Sequence, residues 1–246
     1  MKTALITGSE GQLGQCFIKR LLALNYSVIA FDIAEVSTTS GVAYFKVDIT
    51  QYNEIKLALN GIDTIDVLIN NAGVSVFSPF EDRTEEELDY VINVNLKGTL
   101  FMIQAVYNQF FKPQKKGCIV NIGSIYGVVS GEMRLYNEGD RRTPEIYGAT
   151  KAADELLAHV YHDMYGFKMT GLRFFTVYGP WGRPDMSYFL FTRNILASKP
   201  IDIYNHGKME RDFTYIDDIV EGVVKVVNKL PEPDPNWISE APNPAS

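Results

Sequence analysis

The first fourteen residues constrain the fold of this chain more than any other stretch. TALIT is a short apolar strand; TGSEGQLG turns sharply on Gly8, Gly11 and Gly14, and an amphipathic helix pattern follows over Leu13–Leu24. Glycines at this spacing let the backbone turn tightly and bring a phosphate close, with its charge facing the N-terminus of the helix. The glycine triplet alone is equally compatible with a plain tight turn. Its place between the first strand and the first helix is what points to a nucleotide. Gln12 and Leu13, at the helix start, belong to the same turn.

The alternation continues. Strand-like runs SVIAFD, VAYFKVD, IDVLIN, GCIVNIG and MTGLRFF are separated by helical patterns near Tyr52–Leu59, Thr84–Phe110 and Glu145–Tyr165. Short apolar strands between helices predict parallel βαβ units with right-handed crossovers. The expected fold is therefore α/β, a Rossmann-like doubly wound parallel sheet. A small, incomplete C-terminal substrate-binding part follows, with a helix over Tyr188–Ser198, a strand at IDIYN and a helix over Asp217–Asn228. The expected division is 1–180 for the nucleotide-binding domain with the catalytic residues, 181–230 for the partial substrate region, and 231–246 for a proline-rich tail.

Composition narrows the classes of function. A net charge of −7 argues against a nucleic-acid footprint. No apolar run approaches the ~20 residues that span a bilayer, and the N-terminus reads as a strand, not a signal peptide. Cys16 and Cys118 sit in element interiors, which suits buried thiols and a cytoplasmic setting. The three histidines form no metal spacing.

Asp32 ends the second strand, where a carboxylate can accept from the ribose hydroxyls of an adenosine. It would repel a 2′-phosphate, which favours NAD over NADP; a helix-capping Asp is the plainer alternative. Asp48, with Ile49 beside it at the end of the third strand, is positioned for the adenine amino group.

Y-x-x-x-K occurs at Tyr52/Lys56, Tyr147/Lys151 and Tyr204/Lys208, and only the second pair follows a GS-containing strand and opens a long amphipathic helix. Four residues are about one helical turn, so Tyr147 and Lys151 share a face. A phenol titrating near pH ~10 needs a nearby cation to act as a base at neutral pH.

The Gly turn, Asp48, NNAG at Asn70–Gly73, VNL around Asn95 and YGATK at Tyr147–Lys151 together resemble the short-chain dehydrogenase/reductase superfamily over nearly the whole chain. That resemblance implies Asn71, Ala72 and Gly73 at the cofactor, Ser124 on the reacting oxygen, and Tyr147 as the proton-transferring group. It also implies Lys151 on the nicotinamide ribose and Asn95 holding a relay water; the bland role for Asn95 is a bond to a neighbouring carbonyl. The stretch between Ser124 and Tyr147 carries Arg134, Arg141 and Arg142, either for an anionic ligand or as a solvated loop.

NNAG and VNL look like the single-domain branch, the simple dehydrogenases and carbonyl reductases. From Tyr147 onward, ATKAADELLAHVYHDMYG, LRFFTVYGPWGRPDM, KPIDIYNHGKMERDFTYIDDIVEGV and APNPAS resemble UDP-glucuronate 4-epimerases, cut short. That likeness implies Thr176 and Arg183 at a uronate carboxylate and Arg211 at a diphosphate, since guanidinium groups bind both bidentately. Ion pairs with Asp185 or Asp212 are the alternative. The expected function is an NAD-dependent enzyme acting by hydride transfer at C4 of a UDP-uronic acid. The alternatives are a simple dehydrogenase and a catalytically idle nucleotide-binding protein. The expected assembly is a homodimer through the two long helices, as in related proteins.

Overall fold

The computed structural model describes residues 1–128, 145–166, 168–184, 186–208, 210 and 212–229. Six parallel strands form the central sheet in the order β3-β2-β1-β4-β5-β6. They are β1 (Thr3–Thr7), β2 (Ser27–Asp32), β3 (Ala43–Lys46), β4 (Val67–Asn70), β5 (Cys118–Ser124) and β6 (Met169–Phe174). The order reverses between β1 and β4, and a doubly wound sheet opens a crevice at the C-terminal strand ends at such a switch point. Every residue of β1, β4 and β5 is buried, as the continuous apolar runs require, whereas edge strand β3 is exposed at both ends.

Helices cover both faces. α1 (Gln12–Ala23) and α8 (Ile216–Asn228) pack on one, where Phe17, Ile18 and Leu21 meet Val220, Val223 and Val227 against β1, β4 and β5. Tyr26 donates to Asn228 Oδ1 at 2.9 Å and Arg20 pairs with Glu221, so the last helix is tied to the first. Just past the end of α1, Asn25 takes the left-handed conformation (φ 59°) that Asn tolerates after a helix cap.

The opposite face carries α2 (Tyr52–Leu59) and one long helical rod, whose Ile55, Leu59, Met102, Val106 and Phe110 fill the second core. The rod was expected as one helix over Thr84–Phe110. It is α3 (Glu85–Ile92), a π-helical segment Asn93–Gly98, α4 (Thr99–Val106), a second π segment Tyr107–Phe111 and a last turn, α5 (Lys112–Gln114). A capping box starts it, Thr84 with Glu87. Each π segment widens the helix locally, a distortion that recurs at functional sites.

α6 (Glu145–Tyr165) runs beside this rod and over β5. β7 (Thr176–Tyr178) and β8 (Phe213–Tyr215) form a separate parallel pair, with α7 (Ser187–Leu196) between them in sequence. The expected strand IDIYN is absent: residues 201–203 are irregular and Tyr204–Gly207 is a 3-10 turn. Its alternation suits a strand, yet no described strand borders it, and the chain turns directly after it at His206 and Gly207, both with positive φ.

Candidate active site

The glycine turn is built for close approach. Gly8 has φ +63°, and a Cβ there would lie 2.8 Å from Ala72 Cα. A Cβ on Gly14 would strike the Gly8 carbonyl and come within 2.8 Å of Ser9 Cα. Thr7 Oγ1 accepts from the backbone N–H of both Asn71 and Ala72 at 3.1 Å, and Asn71 Nδ2 donates to the carbonyls of Thr7 (3.0 Å) and Gly8 (2.9 Å). NNAG and the glycine turn are thereby one rigid unit.

No side chain caps α1 at Gly11, and no acidic residue lies in its first turn. Such a helix end favours an anion, and Ser9 Oγ is buried there without a partner among the described residues. These residues fit a dinucleotide diphosphate. Leu13 packs into the core beneath, while Gln12 Nε2 donates to the Pro180 carbonyl at 2.9 Å and ties the turn to the β7 loop.

Asp32 accepts from Glu10 N at 2.9 Å and Ala34 N at 3.1 Å. Its carboxylate thus sits at the end of β2 beside the glycine turn. Glu10, which sequence reasoning overlooked, accepts from Ser37 Oγ (2.8 Å), Thr38 N (2.8 Å) and Thr38 Oγ1 (2.6 Å). Burial works against its charge, but the bonds from Thr38 and Ser37 prevail and hold its carboxyl below the usual range. Two carboxylates therefore stand beside the glycine turn at the end of β2. Asp48 bonds within its own turn, accepting from Thr50 N at 2.9 Å while its N–H donates to Glu54. Ile49 is buried against Gly98, where a Cβ would come within 2.8 Å of its Cδ1.

At the end of β5, the Ser124 hydroxyl accepts from Tyr126 N at 3.2 Å and lies close enough to the Tyr147 phenol to favour its ionised form. Lys151 lies one turn along α6, its Nζ 5.7 Å from the Tyr147 ring centroid. A Cβ on Gly73 would sit 3.6 Å from Asn95 Oδ1 and 3.7 Å from Lys151 Nζ, so NNAG, the first π segment and α6 converge at one point. Asn95 is fully buried there and staples two elements. Its Oδ1 accepts from Val74 N at 2.8 Å, and its Nδ2 donates to Val74 O (2.9 Å) and Thr150 Oγ1 (3.2 Å). All three bonds run to the protein itself, and the Asn95 carbonyl accepts from Thr99 Oγ1.

Burial pushes the Tyr147 phenol above its ordinary value, opposed by the Ser124 hydroxyl and the Arg183 charge. Burial pushes Lys151 down, and the Asp154 carboxylate partly restores it. Asp154 also went unrecognised in the sequence; the signal for it was its position three residues past Lys151. The other two Y-x-x-x-K pairs lie elsewhere, on α2 and in the 3-10 turn after α7.

Thr176 opens β7, in register with Phe213 of β8. The Arg183 guanidinium stacks 4.9 Å over the Phe77 ring while its charge reaches Tyr147. The structure thus brings Arg183 together with Ser124 and Tyr147. Arg211, Asp185, the segment with Arg134, Arg141 and Arg142, and the tail 231–246 lie outside the described residues. Among the described residues no group of His, Cys, Asp and Glu could hold a metal ion, and no helix is long and apolar enough to cross a membrane.

The NAD dependent epimerase/dehydratase family model matches residues 4–237. This chain belongs to that family. Among solved members of the wider group, a short chain dehydrogenase from Leptospira borgpetersenii with bound NAD+ superposes with TM-score 0.67 at 35% identity, covering 90% of this chain and 84% of that one. The UDP-glucuronic acid 4-epimerase of Bacillus cereus, in complex with UDP-glucuronic acid and NAD, gives TM-score 0.72 at 26% identity, covering 92% and 73%. UDP-glucuronate 4-epimerase 3 of Arabidopsis thaliana is 46% identical over 136 residues, 53% of this chain and 31% of that protein. As a family member the chain is of the oxidoreductase/epimerase kind, with the Rossmann-like sheet of its NAD-bound neighbours.

Proposed function

We propose that this chain is an NAD-dependent epimerase acting at C4 of a UDP-uronic acid. One observation carries the reading: the Ser124–Tyr147 hydroxyl pair lies within reach of the Arg183 charge, at the crevice the glycine turn opens. A hydroxyl-activating pair with a guanidinium beside it suits a sugar that bears both a reactive secondary alcohol and a carboxylate.

Gly8, Gly11, Gly14, Gln12 and Leu13 form the seat for the cofactor diphosphate, with Asp32 at the adenosine ribose, Asp48 and Ile49 toward the adenine, and Asn71, Ala72 and Gly73 beneath the dinucleotide. Bound NAD supplies a ring that accepts and returns a hydride. Tyr147 takes and gives back the C4 hydroxyl proton, and Ser124 donates to the same oxygen. Lys151 supports the phenolate and holds the nicotinamide ribose. Asn95 serves by holding the NNAG loop to α6. Thr176 and Arg183 take the uronate carboxylate and Arg211 the diphosphate.

Asp32 with Glu10 close by favours NAD over NADP, because a 2′-phosphate would meet two carboxylates. A homodimer through the two long helices is supported by their exposed apolar side chains, Leu156, Val160, Met164 and Tyr165 on α6 and Tyr90 and Ile92 on α3. A monomeric mass at micromolar concentration would refute the dimer.

The 35% identity to an NAD-bound short chain dehydrogenase supports a second reading, net oxidation of an alcohol. Incubation with UDP-glucuronate separates the two. Formation of UDP-galacturonate with no accumulation of NADH supports the epimerase; stoichiometric NADH with no epimer supports the dehydrogenase.

A further inference from the structure

We propose that Asp154 is the positioning counter-charge that keeps Lys151 an ammonium, and that it thereby sets the alkaline limit of activity. The inference rests on the reading of Tyr147 and Lys151 as the reacting pair. Lys151 and Asp154 are exposed by only 4% and 5%, and Asp154 Oδ2 stands 3.9 Å from Lys151 Nζ on the same face of α6. Its other oxygen, Oδ1, is buried with no hydrogen-bond partner among the described residues. A carboxylate is expensive to bury, and one so poorly bonded has Lys151 as the cation that offsets its charge.

The charges around Asp154 leave that assignment intact. On α6, Glu155 adds a second negative charge, and Tyr147 feels the Asp154 carboxylate as well. From β6, Arg173 is engaged by Glu155 in a bidentate pair at 2.7–3.0 Å. From the 3-10 turn after β5, Tyr126 acts on Tyr147. On α3 and the first π segment, Glu85, Glu86, Asp89 and Lys97 point to exposed positions, and Glu87 accepts from Ser78. Lys151 and Glu155 both act on Asp154 by charge, and Lys151 is the one that favours its ionised form.

The timing of ionisation makes the device useful. Burial pushes the Asp154 carboxyl up to about 7, while burial pushes Lys151 down. Below that range solvent protons alone keep Lys151 charged and Asp154 is neutral. As pH rises, Asp154 ionises, and its carboxylate beside Lys151 favours the ammonium, which survives to higher pH. Without Asp154 the ammonium is lost sooner. Tyr147 then loses its supporting cation, and the ribose loses its donor.

The test is the pH profile of D154N, close in shape and without the charge. The alkaline limb of kcat/KM should move to lower pH by about one unit or more, with activity on the acid side of the optimum retained. The pH at which NAD affinity collapses should move with it, a readout that needs no sugar. In a K151R background, whose guanidinium does not titrate, D154N should move neither. If D154N does not fold, D154S replaces it. A third reading uses the wild type labelled with 13Cε-lysine: the Lys151 resonance should show a step as Asp154 ionises, as well as its own. Superimposable profiles for wild type and D154N, a uniform loss at every pH, or a Lys151 resonance blind to Asp154 would overturn the proposal. A shifted NAD-affinity profile with no sugar converted would leave it standing and refute the substrate reading alone.

Discussion

The two sides of the crevice are made differently. On the cofactor side, β1 and β4 are buried throughout, the glycine turn is locked to NNAG by four hydrogen bonds, and small residues stand where any Cβ would collide. On the side proposed for the sugar, β7 and β8 are three residues each, Trp181 is 84% exposed, and Tyr178, Phe213 and Tyr215 stack edge-on at a half-open surface. One side is set by backbone contacts that tolerate no added atom. The other is set by side chains on a short pair of strands. Cofactor binding should therefore be intolerant of single substitutions, and sugar binding tunable by them.

The largest expected effect falls where the sides meet. Y147F should lower turnover by about 10³-fold, within the range for loss of a general acid–base group, and leave NAD affinity near wild type by fluorescence titration. A Y147F protein that keeps a tenth of its turnover would separate the pair from the chemistry. Next comes the cofactor side. G14A drives a Cβ into Ser9 and the Gly8 carbonyl, and overpacking of this kind costs about 1–3 kcal/mol. Calorimetry should show the loss in Tm together with lost NAD binding. An unchanged Tm with full binding would break the contrast between the two sides.

On the sugar side, R183A should raise KM for a UDP-uronic acid by about tenfold, one charge-assisted bond at an exposed position. NAD affinity should hold. Because the Arg183 charge also restrains the Tyr147 phenol, the ascending limb of the pH profile should move to higher pH in the same variant. The smallest effect is far from both sides: R20A breaks an ion pair with Glu221 that is about two-fifths exposed, and should change stability by less than about 1 kcal/mol.

How much was legible before the structure follows the same divide. The tight turn at Gly8 and Gly14 could be read because it depends on backbone geometry at a strand–helix junction, which leaves a local pattern. The parallel order of the sheet followed from the uninterrupted apolar runs of β1, β4 and β5 for the same reason. Glu10 could not, since it acts through partners that only tertiary packing supplies, the Ser37–Thr38 loop, and the place of Asp154 three residues past Lys151 became informative only with the burial of both. Asn95 was read for its family role, and its grip on Val74 and Thr150 needed the folded rod. The π segments leave no periodic signal over five or six residues. IDIYN alternated like a strand but had no neighbour to pair with, and pairing is a property of the sheet, not of the segment.

The central claim is that a hydride leaves C4 of a UDP-uronic acid and returns to it on the opposite face. UDP-glucuronate deuterated at C4, incubated with the NAD-loaded protein, tests it most directly. The account predicts UDP-galacturonate with the deuterium kept at C4. Loss of the label to solvent, or its recovery in released NADH with no epimer formed, would contradict it.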